Sequence, residues 1–449
     1  MFKCSYLNQV YNKVKNQFTD QVEYLQAIQE LFKAIEPLVE ERADQLQKNA
    51  IIERLIHPER IISFRIPWQD DTGQVHVNWG CRVQHSSLLG PYKGGLRFDP
   101  TVNESILKFL ALEQTFKNAL TGLPLGGGKG GADFDPRGKS DSEIMRFCQS
   151  FMTELSKYIS QDQDVPAGDI GVGKKEIGYL YGQYKRLKGI ELGVLTGKPI
   201  LANGSKGREE ATGHGLIYFT QALLKEEGLT LNNMRVIISG TGNVGQHAIT
   251  KAIEAGARVV AISNIYGSLY DPQGIDLKVF NKLSLDRNID LSTYCKLRPQ
   301  SSFEEKSVWD RSIPADLALP CATQNEISTD QAKNLIQNGV RFLVEGANMP
   351  STSEAIQVFQ DQPDFIWAPG KAANAGGVAV SGFEMSQNAG RLPWTAQEVD
   401  RKLQEMMQSI FQTCQQTCLE YQLGKNYAAA ADIVAFNQLI ALIEMQGLI

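Results

Sequence analysis

The stretch Met234-Arg-Val-Ile-Ile-Ser239-Gly240-Thr-Gly242-Asn-Val-Gly245 joins an apolar strand pattern to three spaced glycines. Gln246–Ala255 continues as a helical pattern, Gly256 ends it, and Arg258–Ser263 has the pattern of the next strand. Gly-x-Gly-x-x-Gly alone is weak evidence, but here it lies between a strand and a helix in a complete β-α-β unit. The stretch therefore predicts a dinucleotide site, and a glycine-rich turn without a ligand is the less favoured alternative.

Each glycine of this motif has a distinct predicted task. Gly240 allows the tight turn, Gly242 lets the backbone approach a pyrophosphate, and Gly245 lets the helix pack closely on the strand. The free N–H groups at the start of the helix, where Val244 lies, favour the negative phosphates. We therefore expect Gly240, Gly242, Val244 and Gly245 to bind the cofactor.

The residue that ends the second strand bears on the choice of coenzyme. NAD-binding units normally carry Asp or Glu there to hold the ribose 2′-hydroxyl. This chain has Asn264, which would not repel a 2′-phosphate, and Arg287 on the following helical stretch could pair with that phosphate. The two residues favour NADP, with NAD as the alternative.

The order of the elements predicts two α/β domains. Short apolar runs alternate with helices after residue 200, which is typical of a parallel sheet covered on both faces; the runs are Arg235–Ser239, Arg258–Ser263, Ala315–Leu319, Arg341–Glu345 and Phe365–Ala368. The first 200 residues combine helices with strands at Arg60–Pro67 and Gln74–Val83. We expect a substrate-binding and oligomerisation domain at 1–200, a doubly wound Rossmann-type domain at 201–424, and a helical return of 425–449 to the first domain.

Composition and charge exclude several classes of protein. Of 449 residues, 42% are apolar and 21% charged, which fits a globular chain of two or three domains. The net charge of −5 without a basic block argues against nucleic-acid binding. No uninterrupted apolar run reaches the length of a membrane helix, and no signal peptide is recognisable. Seven cysteines without a disulfide framework favour the cytoplasm, and the five histidines form no metal-binding cluster.

The most unusual part of the sequence lies between residues 80 and 175. Lys93 and Lys129 are flanked by glycines, in Pro91–Phe98 and Pro124–Gly131 respectively. Asp169 stands in a further glycine-rich segment, which we expect to be a loop. The second lysine segment lacks the Gly-Lys-Ser/Thr ending of a nucleoside-triphosphate loop. Separately, each lysine could be surface charge and each glycine segment a plain turn.

Taken together, these residues favour a small ligand with two negative charges. Gln114 and Lys117 lie three apart, on one side of the predicted helix Glu104–Leu120. Lysines supply positive charge to carboxylates, and a lysine shielded from water beside other cations has a lowered pKa and can act as a base. Asp169 is the candidate proton carrier.

These residues carry a resemblance that runs from about residue 50 to the end. The chain resembles the glutamate/leucine/phenylalanine/valine dehydrogenase family, and within it the small hexameric glutamate dehydrogenases. The segments that carry the resemblance are Pro91–Phe98, Lys108–Leu120, Pro124–Pro136, Asp164–Gly173, Gly240–Gly245, Ala318–Glu326, Val344–Pro350 and Ala368–Gly382.

The resemblance implies a substrate site with two carboxylate-binding ends. Lys93, helped by Ser381, would bind the side-chain carboxylate, while Gln114 and Lys117 would bind the α-carboxylate and Gly168 would add backbone contacts. Relatives acting on apolar amino acids have an apolar residue at position 93, because a buried ammonium without a carboxylate partner would be costly. Lys93 therefore favours glutamate over another amino acid.

The resemblance also implies the chemistry. Lys129 would be the catalytic lysine and Asp169 the acid that shuttles protons to nitrogen, in the reversible conversion of 2-oxoglutarate, ammonium and NADPH to L-glutamate. It implies a homohexamer and four further cofactor contacts, Thr212, Asn243, Asn348 and Asn374. The alternatives are another amino-acid dehydrogenase of this family and a dinucleotide-binding regulator without activity. The second alternative would not require this catalytic set.

Overall fold

The computed structural model describes residues 2–284 and 290–448, and these form two compact units. The first unit comprises Met1–Arg208, Val378–Val399 and Asp432–Ile449. The second unit comprises Glu209–Gly377 and Asp400–Ala431. The first unit thus includes Val378–Val399, which the predicted boundaries place in the dinucleotide domain. This segment contacts the first unit through its side chains: Glu384 pairs with Lys198 at 2.6 Å, and Asn388 donates to the carbonyl oxygen of Asn203 at 3.0 Å.

The helices of both units follow in chain order. They are α1 (Ser5–Gln17), α2 (Val22–Glu41), α3 (Ala43–Lys48), α4 (Ile51–Ile56), α5 (Glu104–Leu120), α6 (Asp141–Leu155), α7 (Lys174–Lys188), α8 (Ala211–Glu226), α9 (Asn243–Glu254), α10 (Leu277–Leu283), α11 (Ser292–Leu297), α12 (Thr329–Gln337), α13 (Ser353–Gln360), α14 (Gly370–Ala373), α15 (Gly376–Gly390), α16 (Ala396–Glu420) and α17 (Tyr427–Gln446).

The strands form one sheet in each unit. They are β1 (Arg60–Gln69), β2 (Val75–Ser86), β3 (Tyr92–Phe98), β4 (Gly127–Ala132), β5 (Asp164–Gly168), β6 (Arg235–Ser239), β7 (Arg258–Asn264), β8 (Gly267–Tyr270), β9 (Ser302–Glu304), β10 (Leu317–Pro320), β11 (Phe342–Val344) and β12 (Ile366–Ala368). The strand order is β1-β2-β4-β3-β5 in the first sheet and β12-β11-β10-β6-β7-β8-β9 in the second. The α/β fold class is confirmed.

Three adjacent strands of the first sheet, β3, β4 and β5, contain glycines. β3 lies between β4 and β5 and runs parallel to both. The expectation of a loop was wrong over Asp164–Gly168, and the plain turn offered as an alternative for Pro124–Gly131 is wrong over Gly127–Gly131, which lies in β4. Glycine is unfavourable in most strands, but here neighbouring backbone leaves no room for a side chain. A Cβ atom at Gly94 would overlap the carbonyl oxygen of Gly128.

An aromatic core covers one face of the first sheet. Phe134 and Phe147 stack with ring centroids 3.7 Å apart, and Phe98 meets Phe147 edge-on at 5.1 Å. Phe151 and Trp68 complete the cluster, which is almost wholly buried. The packing fixes α6 against the sheet that carries Lys93 and Lys129.

The second sheet is parallel except at one edge. β6 pairs in parallel with β7 on one side and with β10 on the other. The chain therefore adds strands in one direction from β6 to β9 and in the opposite direction from β10 to β12. In doubly wound sheets, dinucleotides bind at the carboxyl ends of the strands at such a reversal. The predicted run of parallel strands is confirmed, whereas the antiparallel edge strands β8 and β9 were not expected.

Within the described residues, α17 is long and apolar enough to cross a membrane by length and composition. Half of that stretch is buried inside the protein. Asp432 and Asn437 interrupt its apolar residues, and Ile433, Phe436 and Ile440 are buried. This distribution is typical of a core helix.

A fully buried ion pair holds the middle of the first sheet. The Nε of Arg82 on β2 donates to the Asp164 carboxylate at 3.0 Å, and Nη1 of Arg82 donates to the carbonyl oxygen of Gly94 at 3.2 Å. Gln84 also donates to Asp164, at 2.9 Å. Both charged side chains have no exposed surface. A buried charge that loses its partner keeps the cost of leaving water.

We therefore expect Asp164→Asn to lower the free energy of unfolding by about 3–5 kcal/mol. The matched control is Asp141→Asn, because Asp141 pairs with Lys175 on the surface at 2.7 Å with side chains 73% and 45% exposed. Exposed pairs contribute about 0–1 kcal/mol. Denaturant unfolding at one protein concentration measures both, and equal losses would contradict a special role for the buried pair.

Candidate active site

Lys129 and Asp169 meet above the centre of the first sheet. Lys129 lies in the middle of β4, and Asp169 directly follows β5. The Lys129 Nζ is 3.2 Å from Oδ1 of Asp169, and Nε of Arg97 on β3 donates to Oδ2 at 2.7 Å. One carboxylate thus bridges two cations from neighbouring strands.

The surroundings lower the pKa of both Asp169 and Lys129. Burial by itself would raise the pKa of Asp169, but Lys129 and Arg97 outweigh it and lower the pKa to about 2. Burial lowers the pKa of Lys129, and nearby Arg97 lowers it further, while Asp169 opposes the change. Asp169 is therefore ionised at neutral pH, and Lys129 gives up its proton more readily than a surface lysine.

A glycine on β3 makes room for this pair. A Cβ atom at Gly95 would lie 2.8 Å from Cβ of Asp169 and 3.4 Å from Nζ of Lys129. The first distance is shorter than carbon atoms tolerate, so a side chain at position 95 would displace the acid. Gly168, the last residue of β5, lies directly before Asp169 and is half-buried.

Lys93 is almost completely buried one strand away, with 1% of its surface exposed. Its Nζ donates to the carbonyl oxygen of Val165 at 3.0 Å and to Oγ1 of Thr196 at 2.8 Å. Burial, followed by the charges of Arg208 and Arg82, lowers the pKa of Lys93 well below its ordinary value. Its two direct partners are neutral, so a carboxylate would be a favourable third partner.

Helix α5 presents the predicted second cation. The side chain of Asn103 accepts a hydrogen bond from the N–H of Ile106 and caps the helix. Gln114 donates to Asn118 at 2.7 Å. Burial lowers the pKa of Lys117 to about 8, and Lys129 and Arg208 act in the same direction. Arg208 therefore lowers the pKa of both Lys93 and Lys117, and Lys129 lowers the pKa of Lys117.

Sequence reasoning missed Arg208. Its Nε donates to Oγ of the buried Ser381 at 3.0 Å, and its charge lowers the pKa of both Lys93 and Lys117. Arg208 precedes α8 in a polar turn, where a single arginine gives no signal that separates it from surface charge. Thr196 and Arg97 were also assigned no role.

In the second unit, the glycine motif has the geometry of a phosphate-binding turn. Gly240 has φ of +81°, which favours glycine, and a Cβ there would lie 3.0 Å from the carbonyl oxygen of Cys321, directly after β10. A Cβ at Gly245 would overlap the carbonyl oxygen of Gly240. Gly242 is exposed with open space beside it, and α9 begins at the next residue, earlier than expected. These features fit a dinucleotide pyrophosphate on the N–H groups of Asn243, Val244 and Gly245.

The other predicted cofactor residues lie around this end of the second sheet. Asn243 donates to the carbonyl oxygen of Glu209 at 2.9 Å, near Thr212 in the first turn of α8. The buried side chain of Asn374 donates to Oδ1 of the exposed Asn348 at 2.9 Å and so ties together the segments that follow β11 and β12.

Of the two residues predicted to select the coenzyme, Asn264 and Arg287, the structure describes only Asn264. Asn264 ends β7, and its Oδ1 accepts a hydrogen bond from the N–H of Tyr266 at 3.0 Å. Its carbonyl group thus shapes the β7–β8 turn. Arg287 lies outside the described residues. Among the described residues, no group of three or more His, Cys, Asp or Glu is arranged to hold a metal ion.

The arrangement of the first unit suits a substrate with two carboxylates and a reacting carbonyl or amine. Lys93, Lys117 and Arg208 supply positive charge, and Lys129 and Asp169 supply a proton donor or acceptor pair. The second unit suits a dinucleotide. Such a pair of sites fits hydride transfer to or from a small dianionic acid.

Comparisons with known proteins agree with this chemistry. Residues 58–186 match the sequence model of the Glu/Leu/Phe/Val dehydrogenase dimerisation domain, and residues 203–447 match that of the glutamate/leucine/phenylalanine/valine dehydrogenases. The NADP-specific glutamate dehydrogenase of Escherichia coli is 48% identical, with 98% of each chain covered. The NAD-specific glutamate dehydrogenase of Clostridium symbiosum is 46% identical, with 99% of each chain covered. A solved glutamate dehydrogenase superposes with a TM-score of 0.95 at 45% identity, covering 99% of this chain and 100% of the other. The chain belongs to the glutamate/leucine/phenylalanine/valine dehydrogenase family.

Proposed function

We propose that this protein is a glutamate dehydrogenase, which converts 2-oxoglutarate, ammonium and NADPH reversibly to L-glutamate. The observation that carries the proposal is the buried Lys93, held by neutral partners at 3.0 and 2.8 Å within a cationic site. An apolar side chain would leave this ammonium without a counter-charge. The side-chain carboxylate of 2-oxoglutarate or glutamate supplies one.

In this proposal, the substrate lies between two sets of cations. Lys93 and Ser381 bind the side-chain carboxylate, and Arg208 holds the Ser381 hydroxyl at 3.0 Å. Gln114 and Lys117 bind the α-carboxylate. Charge-assisted hydrogen bonds of this kind fix both ends of a small molecule and orient the group in its middle.

Lys129 and Asp169 carry the proton transfers. Ionised Asp169 takes a proton from ammonium, and the resulting ammonia attacks the carbonyl carbon. Lys129 stabilises the developing oxyanion while one proton moves from the adduct nitrogen to this oxygen. Lys129 then donates the second proton with which water leaves, giving an iminium ion. Asp169 returns a proton to nitrogen when L-glutamate forms.

NADPH, when bound, supplies the hydride that reduces the iminium carbon. The residues that would hold it are Gly240, Gly242, Val244 and Gly245 through their backbone at the start of α9, with Thr212, Asn243, Asn348 and Asn374 nearby. Position 264 carries Asn instead of an acid, which supports NADPH over NADH. The NADP-specific relative in Escherichia coli agrees with this choice.

We also propose a homohexamer in the cytoplasm. One relative by structure, from Thermus thermophilus, is described as a hetero-hexameric glutamate dehydrogenase, at 26% identity and a TM-score of 0.81. Val75 and Val77 on β2 are about two-thirds exposed, which would suit a covered face. The cysteines are free thiols, as expected in a reducing compartment.

The direct test of the function follows the absorbance of the reduced nicotinamide with 2-oxoglutarate and ammonium. We expect rapid loss with NADPH and little with NADH, and little with 4-methyl-2-oxopentanoate as an apolar 2-oxo acid. A preference for the apolar acid would favour another dehydrogenase of the family. No loss with either coenzyme, in folded protein that binds a dinucleotide, would favour a regulator.

Lys129→Ala should reduce turnover by about 10³-fold, because the variant loses its proton donor and its oxyanion partner. NADPH binding, measured by nucleotide fluorescence, should remain. The control is Lys157→Ala, since Lys157 is an exposed surface residue paired with Glu154. If Lys129→Ala kept most of its turnover, Lys129 would not be the catalytic lysine.

The pH dependence of glutamate oxidation depends on the protonation of Lys129. In this direction Lys129 must have lost its proton, so kcat/KM for L-glutamate rises as pH increases through the pKa of Lys129. Arg97 lowers that pKa, so Arg97→Gln should move the rise to higher pH. Arg137→Gln, at a 73% exposed surface arginine, should leave the profile in place. An unmoved profile in Arg97→Gln, or one moved to lower pH, would contradict this electrostatic account.

A further inference from the structure

A fully buried ion pair that has no part in the proposed reaction lies next to the Lys93 pocket. Glu384 on α15 and Lys198 have side chains that are 1% and 0% exposed, with Nζ of Lys198 2.6 Å from Oε1 of Glu384. Lys198 also donates to the carbonyl oxygen of Leu195. Both residues belong to the first unit.

The carboxylate of Glu384 fixes the turn that carries Thr196. Its Oε2 accepts a hydrogen bond from the N–H of Gly197 at 3.0 Å. The preceding residue, Thr196, is fully buried, and its N–H donates to the carbonyl oxygen of Pro166 on β5 at 3.0 Å. Thr196 in turn holds the ammonium of Lys93 at 2.8 Å. An unbroken chain of contacts therefore links Glu384 to Lys93.

Glu384 has a second link to the same pocket. It stands one helical turn after Ser381 on α15, so the two side chains lie on one side of the helix. Ser381 accepts a hydrogen bond from Arg208. The segment that holds Thr196 and the helix that presents Ser381 are thus joined by one carboxylate.

We infer that Glu384 is a positioning residue for the pocket that binds a substrate side-chain carboxylate. On one side of this pocket it holds Thr196 and, through it, Lys93. On the other side it holds Ser381, which Arg208 contacts. The inference rests on the proposed function and deepens it. It assigns to Glu384 the selection of dicarboxylic over monocarboxylic 2-oxo acids, without contact between Glu384 and the substrate.

Charge supports the same role. Lys93 is faced by the cations Arg208 and Arg82, which lower its pKa, and by the acids Glu384 and Asp164, which raise it. Glu384 likewise raises the pKa of Arg208. Asp164 is already paired with Arg82. Loss of the Glu384 charge would therefore let Lys93 lose its proton at lower pH, and a neutral lysine binds a carboxylate poorly.

The test compares Glu384→Gln with the parent enzyme in the NADPH assay from pH 6 to pH 9. We expect KM for 2-oxoglutarate at pH 8 to rise about tenfold or more, the effect of losing a charge-assisted hydrogen bond. KM should begin to rise at lower pH than in the parent enzyme, while kcat at saturation falls little. The inhibition constant of 2-oxohexanoate, a 2-oxo acid with no second carboxylate, should stay within twofold.

In Glu384→Gln, the buried Lys198 loses its counter-charge. If that variant does not fold, a double variant keeps the test decisive. Lys198→Met with Glu384→Gln removes both charges and keeps the volume, and it should show the same selective rise in KM. Lys93→Leu is the positive reference, with weak 2-oxoglutarate binding at every pH. Asp316→Asn is the matched control, because Asp316 pairs with Arg235 at 2.6 Å in the second unit and should leave KM unchanged.

The outcomes separate this inference from the proposed function. If the parent enzyme uses 2-oxoglutarate and both Glu384 variants keep its KM and pH profile, the role of Glu384 is wrong and the function stands. Equal weakening of 2-oxoglutarate and 2-oxohexanoate would make Glu384 a purely structural residue, which also overturns the inference. If the parent enzyme does not reduce 2-oxoglutarate, the proposed function itself fails.

Discussion

The close approach of three backbone strands is the constraint on which the candidate active site depends. β3 lies between β4 and β5, and these strands bring Lys93, Lys129 and Asp169 together. The separation of the strands and the helix above them leaves no room for side chains, as the overlap at Gly94 demonstrates. Glycines weaken a sheet because they cost more backbone entropy on folding. The aromatic packing below the sheet supplies stabilisation that offsets this cost.

Charge balance is the second requirement of the site. Several cations must face a dianionic substrate, yet buried cations repel one another and lose their solvation. Three acids each pair with one buried cation: Asp169 with Lys129, Asp164 with Arg82, and Glu384 with Lys198. The same acids offset only part of the effect of burial on Lys93, Lys117 and Arg208, because the pKa of each of these three residues remains lowered. The pocket therefore stays attractive to carboxylates.

The sequence predicted structure correctly where a motif depends only on residues that are close along the chain. The glycine motif between β6 and α9 needs only one turn of chain to be interpreted, and the apolar runs predict the parallel strands of the second sheet. β4 and β5 escaped prediction because glycine-rich strands lack the alternating apolar residues on which strand prediction depends. Arg208, Thr196 and Glu384 escaped because their partners lie far along the chain, as with Glu384 and Lys198. Such pairings are visible only once the fold has brought distant segments together.

The two candidate sites differ in what holds their ligands, and this explains why one was easier to recognise. The second unit offers mainly backbone N–H groups at a helix start, so its requirements are small residues at fixed spacing, which a sequence displays directly. The first unit offers side-chain charges whose strength depends on burial and on neighbours, and neither is written in the local sequence. Lys93 illustrates the difference: the same residue on a surface would be an ordinary cation, whereas here burial and then two neighbouring cations lower its pKa well below the ordinary value, and two neighbouring acids oppose the change. In the proposed function, selectivity for the substrate therefore depends on the acids and cations around Lys93 as much as on Lys93 itself.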